Sequence, residues 1–257
     1  MCKQPVTSIR KYIWQLSGWI CLLALFSSQV SPPEMVQVPA GEFVPQFTPR
    51  PGQSRFEMQA FWMDKFPVSQ GDFLNFVKAH PQWQRSQIPD LFQEGHYLSH
   101  WQSDLELPLA NETNLQPAKQ AVTQVSWMAA RAYCAAQGKR LPTLLEWEYA
   151  ADEKTPEKLL WYSQVGVGIP AQIGQQTPNA KGVYDLHQMY EWVSDFNQVI
   201  MTNDSREGNE RDTQLFCGSS ASASDRMNYA AFTRYAFWSS LKPAYTLKNL
   251  GFRCAKN

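Results

Sequence analysis

The chain has 257 residues, 44% of them apolar and 13% aromatic, which suits a packed globular core and excludes a disordered polar chain. Its 23 basic residues balance 23 acidic ones, so bulk charge recruits neither nucleic acid nor an anionic membrane surface. The 10 Trp and 17 Pro favour a single loop-rich domain held by aromatic packing over a helical bundle.

Residues 1–31 read as an export signal: basic Lys3, Arg10 and Lys11, an apolar run from Tyr12 to Phe26, then Ser27, Ser28 and Ser31 before Pro32. Cleavage is expected between residues 28 and 31. The alternative is an uncleaved anchor, the one route by which this chain would sit in a membrane, although the run is shorter than the ~20 residues that span a bilayer comfortably. Cys21 follows Trp19 and Ile20, which does not resemble a lipidation site. Cleavage leaves 20 basic against 23 acidic residues in 32–257, with Cys134, Cys217 and Cys254 in an oxidising compartment. Counting allows one bridge and one leftover thiol and does not say which two pair.

Along the mature chain, MVQVPAGEF (35–43) alternates as a short strand that breaks into a turn at Gly41, and Phe56 to Val68 reads as a second strand-like run. Ser69 is placed to cap a helix running to about His80, with Phe73, Phe76 and Val77 on one face and Pro81 ending it. Residues 83–122 have no period and read as an irregular insertion. Ser126 caps a second helix closed by Gly138, and Thr143 with Glu146 forms a capping-box pattern opening a third over Leu144 to Ala151. A short strand is expected at Gly182 to Leu186, then the aromatic segment Tyr190 to Phe196. The tail carries Tyr229, Phe232, Tyr235, Phe237 and Trp238 before NLGFRC. No internal repeat is present, so the pattern is α+β with low regular content in one domain.

Five phrases carry a resemblance: VPAGEF (38–43), FWMDKFPVSQGDFLNFV (61–77), VSWMAARAYCAAQGKRLPTLLEWEYAA (125–151), GVYDLHQMYEWVSDF (182–196) and NLGFRC (249–254). Together they resemble the formylglycine-generating-enzyme, or sulfatase-modifying-factor, superfamily across 32–257. The resemblance implies that superfamily's fold, a variant of the C-type-lectin-like domain. WQRSQIPDLFQEGHYLSHW (83–101), LFCGSS (215–220) and the tail from Asn228 resemble a branch of exported proteins encoded beside copper nitrite reductase in denitrifying bacteria.

The family oxidase binds copper through two cysteines about five residues apart, because soft thiolates suit Cu(I). The corresponding stretch here, Gly218 to Tyr235, has no cysteine. The resemblance therefore implies an accessory protein that assists maturation or stability of an exported partner or peptide segment, with copper nitrite reductase as the candidate. Two alternatives remain: an atypical oxidase using either Cys217, as a free thiol or a soft-metal ligand beside Met227, or a metal held by His96 and His100; and a lectin-like binding module.

Further expectations rest on the resemblance alone. Cys134 and Cys254 match positions that some members bridge, and a loop of roughly 120 residues would contribute about 4 kcal/mol in the chain-entropy model. Asp185 and Glu191 match a calcium segment, as oxygen ligands, although the segment is one residue short and lacks the family glycine. Asn249 falls near the substrate groove, Arg253 reads as a buried pairing residue, and Trp238 replaces a common Arg, removing a charge from that groove. The histidine signature of the related iron branch is absent around His187.

Overall fold

The computed structural model describes residues 34–45, 55–110, 116–151, 172–196, 234 and 236–257. All lie in the unit Pro33–Asn257; the expected export signal, Cys217 and Met227 lie outside the described residues. No helix among the described residues is long and apolar enough to cross a membrane.

The first two strand-like runs form one long antiparallel ribbon rather than one strand each. β1 (Met35–Val38) pairs with β4 (Phe61–Asp64), while β2 (Gly41–Phe43) pairs with β3 (Phe56–Met58), and the register continues in step from Val38↔Phe61 to Gly41↔Met58. The ladder lapses at Pro39, which has no N–H to donate. Gly41 is therefore not the turn expected from the sequence: it begins β2. A Cβ there would lie 2.6 Å from the Tyr149 hydroxyl, so any larger residue would have to displace the end of that side chain.

Two further short strands complete the sheets. β5 (Tyr190–Glu191) runs parallel to β6 (Leu250–Gly251), and β7 (Ala255–Lys256) joins the free side of β4. The strand expected at Gly182 to Leu186 is absent. Asn179 Oδ1 accepts from the backbone N–H of Lys181 and Val183, each at 3.0 Å, and Gly182 and Asp185 both have positive φ. A local side-chain acceptor has out-competed the ladder and turned the segment.

The helices follow their sequence signals closely. α1 (Gln70–Ala79) is capped by Ser69, whose Oγ accepts from Asp72 N–H at 3.0 Å. α2 (Trp127–Ala136) is capped by Ser126 and ends in a Schellman turn: Lys139 N–H donates to Cys134 O at 2.9 Å, Gly138 N–H to Ala135 O at 3.0 Å, and Gly138 takes φ +65°. At the start of α3 (Leu144–Ala151) both halves of the capping box form. Thr143 Oγ1 accepts from Glu146 N–H at 3.2 Å, and Glu146 Oε2 accepts from Thr143 N–H at 2.8 Å. Asp195 Oδ1 adds a third acceptor for the same terminus, taking Leu144 N–H at 2.7 Å.

The core joins all of these. Phe73 and Phe76 of α1 meet Tyr133 of α2, and both Phe73 and Tyr133 meet Phe252 edge-on. The insertion at 83–122 is irregular as expected, with single 3₁₀ turns at Pro81–Trp83, Asp90–Phe92 and Pro117–Lys119. It packs inward through Tyr97, Leu98 and Trp101.

Candidate functional site

One cluster of buried charged side chains collects where α3, β5, β6 and the C-terminal residues meet. Gly251 lets these backbones close: a Cβ on it would lie 2.6 Å from Val122 O and 2.8 Å from Met189 Sδ. That approach carries Arg253 into the interior opposite Glu191, both 0% exposed. Arg253 Nε donates to Glu191 Oε2 and Nη2 to Oε1, each at 2.7 Å, and the Trp147 indole donates to Oε2 at 2.9 Å. The remaining guanidinium hydrogens reach carbonyls: Nη2 to Tyr184 O at 2.9 Å, and Nη1 to Lys65 O at 3.1 Å and Asp64 O at 3.3 Å. All five donors of the guanidinium are thereby used. The expectation that Arg253 pairs in the interior holds, and its partner is Glu191.

A second cation sits one layer away. Arg234 pairs with Glu148 of α3, its Nε donating to Oε1 at 2.9 Å, and its guanidinium lies 6.0 Å from the Trp147 ring and 5.9 Å from the Trp238 ring. Trp238 is fully buried, edge-on to Trp147 at 5.3 Å, and its N–H donates to Glu191 O at 3.0 Å. Trp238 is thus a core residue, and Arg234 supplies a guanidinium beside it. Phe237 stacks on Tyr190 at 3.6 Å, and half-buried Asn249 accepts Tyr190 N–H through its carbonyl at 2.9 Å. Burial pushes the Tyr190 hydroxyl upward in pKa, with Arg234 opposing.

Two further nodes were not legible in the sequence. Asp64 accepts Lys139 Nζ at 2.6 Å and Cys254 N–H at 3.1 Å, beside the Cys134–Cys254 disulfide, whose Cα atoms are 5.6 Å apart. Burial raises the Asp64 carboxyl pKa; Lys139 opposes that rise. In the insertion, Gln70 Oε1 accepts from Trp101 Nε1 at 2.9 Å and faces His100 Nε2 at 3.1 Å, which makes Nε2 the protonated nitrogen. His100 Nδ1 is buried without a hydrogen-bond partner. Burial lowers this imidazole to about 4, with Gln124 opposing and Arg85 adding to the fall. Only the apolar framing of Asp64 in FWMDK and of Gln70 before a buried helix face hinted that either polar group would be interior.

The other expected site residues separate. His96 is exposed in a loop and His100 lies in the turn that follows, its Nε2 facing Gln70 Oε1 at 3.1 Å. Among the described residues, no group of three or more His, Cys, Asp or Glu side chains could hold a metal ion.

Residues 24–257 match the family described as the sulfatase-modifying factor enzyme 1-like domain. The chain belongs to that family. It is 27% identical over 287 residues to the formylglycine-generating enzyme of Bos taurus, covering 88% of this chain and 75% of that protein. It is 29% identical over 273 residues to the inactive C-alpha-formylglycine-generating enzyme 2 of Bos taurus, covering 86% of this chain and 87% of the relative. Among solved structures, PvdO from Pseudomonas aeruginosa has a TM-score of 0.50 at 20% identity, over 88% of this chain and 94% of that one, which supports the shared fold.

The calcium expected of Asp185 and Glu191 does not fit these residues. Glu191 already accepts three N–H donors, out of the roughly four acceptor positions a carboxylate offers, and two of the three come from a guanidinium. Asp185 Oδ2 accepts Gly174 N–H at 2.6 Å, and its Oδ1 accepts from Gln188 at 3.1 Å. Burial raises the Asp185 pKa, with the Gly174 hydrogen bond and Arg253 opposing. A carboxylate so committed is a structural acceptor rather than a ligand.

Proposed function

We propose that this chain is an exported member of the family that does not act as a copper oxidase. On this reading its domain, a C-type-lectin-like variant, engages a peptide segment of a periplasmic partner and assists that partner's maturation or stability. Copper nitrite reductase is the partner that the branch resemblance favours. One observation carries the non-oxidase reading. Cys134 and Cys254 are bonded to each other, and residues 218–253 contain no cysteine, so a chain cleaved after the export signal keeps Cys217 as its single thiol. A dithiolate Cu(I) site needs two. A relative covered to 87% of its length by the match is itself named as inactive, which is consistent with a non-catalytic role.

The test is to incubate the purified chain with Cu(I), oxygen and a peptide carrying the target cysteine, and to read the mass of the product. We expect the peptide unchanged; conversion of its cysteine to an aldehyde would overturn the reading. Should Cys217 act alone, Cys217→Ser would abolish any oxidation that is observed. For the partner, the tagged chain is purified from the periplasmic fraction of denitrifying cells, where copper nitrite reductase is expected to co-purify. Recovery of the chain in the cytoplasm, or without an exported partner, would count against the assignment.

A further inference from the structure

We infer that Arg253 is the resident cation of the 182–196 segment, a tethered guanidinium in an all-oxygen cage that holds this segment without a divalent ion. The cage has five contacts from four groups of the chain: both oxygens of Glu191 and the carbonyls of Asp64, Lys65 and Tyr184, at 2.7 to 3.3 Å. A bidentate carboxylate with several backbone carbonyls is the kind of oxygen set that calcium takes. Here the planar fork of the guanidinium meets it, with each N–H directed at one acceptor.

Three observations make the two cations alternatives. Arg253 and Glu191 are both fully buried, so a divalent ion bound to Glu191 would lie against an immobile positive charge with no intervening solvent. Trp147 takes a further acceptor position on Oε2. Asp185, which follows the cage carbonyl of Tyr184, is turned by its positive φ toward Gly174 N–H and Gln188.

Thermal melting of the purified chain decides this. Wild type and Asp185→Asn are each melted in excess EDTA and in millimolar calcium. The expected result is the same calcium response in both. A specific calcium site would instead raise the wild-type midpoint by about 5 °C or more, and loss of that rise in Asp185→Asn would overturn the inference. In Arg253→Ala, which empties the cage, free guanidinium at about 20 mM is expected to raise the midpoint by occupying it, while leaving wild type unmoved. Recovery of the variant by calcium in place of guanidinium would equally overturn the inference. If that variant does not fold, the comparison of wild type with Asp185→Asn decides alone.

Discussion

The Glu191–Arg253 node and the His100–Gln70 node are both polar clusters inside an aromatic core, and they are finished to different degrees. In the first, every guanidinium hydrogen has an acceptor, and the carboxylate takes two of its three donors from the same partner. In the second, one imidazole nitrogen is satisfied and the other is buried without a hydrogen bond. A saturated node is rigid and intolerant of change, because losing any member strands a buried charge. A node with a spare lone pair can take a proton, so it makes stability respond to pH.

The comparison breaks most sharply at the saturated node. Glu191→Ala leaves Arg253 uncompensated at 0% exposure and is expected to cost about 3–5 kcal/mol in urea unfolding. A loss below about 1 kcal/mol would show that water or another anion replaces the carboxylate. The neighbouring disulfide comes next. Cys134→Ala with Cys254→Ala releases the C-terminal residues from α2 across a separation of 120 residues and should cost about 2–5 kcal/mol. Reducing wild type under denaturing conditions and refolding it in dithiothreitol should give the same loss.

The unfinished node is read through pH. His100 titrates near 4 in the folded chain against 6.5 as its ordinary value, so the unfolded chain binds the proton more tightly. The stability that neutral His100 contributes is present above 6.5 and is lost as pH falls toward 4, by up to about 3 kcal/mol. Asp64, Asp185 and Asp195, all raised by burial, act with the opposite sign: their protonation in mild acid favours the folded state. His100→Gln should therefore flatten the decline of the denaturation midpoint between pH 6.5 and 4. An unchanged slope would remove His100 as its source. The smallest effect is local: Ser69→Ala deletes the cap on α1 and should cost about 1 kcal/mol, with no change in the pH slope.

What was legible in the sequence was local. Ser69, Ser126, Gly138 and the Thr143–Glu146 box announce helix ends through chemistry completed within five residues, so α1, α2 and α3 appear where their signals stand. The Cys134–Cys254 bridge came from the family resemblance and is present. The strand expected at 182–186 failed because apolar alternation cannot register a competing acceptor on Asn179. Nor could the sequence say what Asp185 and Glu191 face, since carboxylates look alike whatever they meet: Glu191 meets Arg253 and Trp147, and Asp185 meets Gly174 and Gln188.

By itself, then, the sequence determined the helices, the irregular insertion, the family and the absence of a cysteine pair in 218–253. Only the tertiary structure decided the partner of each buried charge. Glu191 with Arg253 spans 62 positions, Asp64 with Lys139 spans 75, and Arg234 with Glu148 spans 86. Pairings at such separations depend on how sheets and helices close around the core, and local spacing carries no record of them.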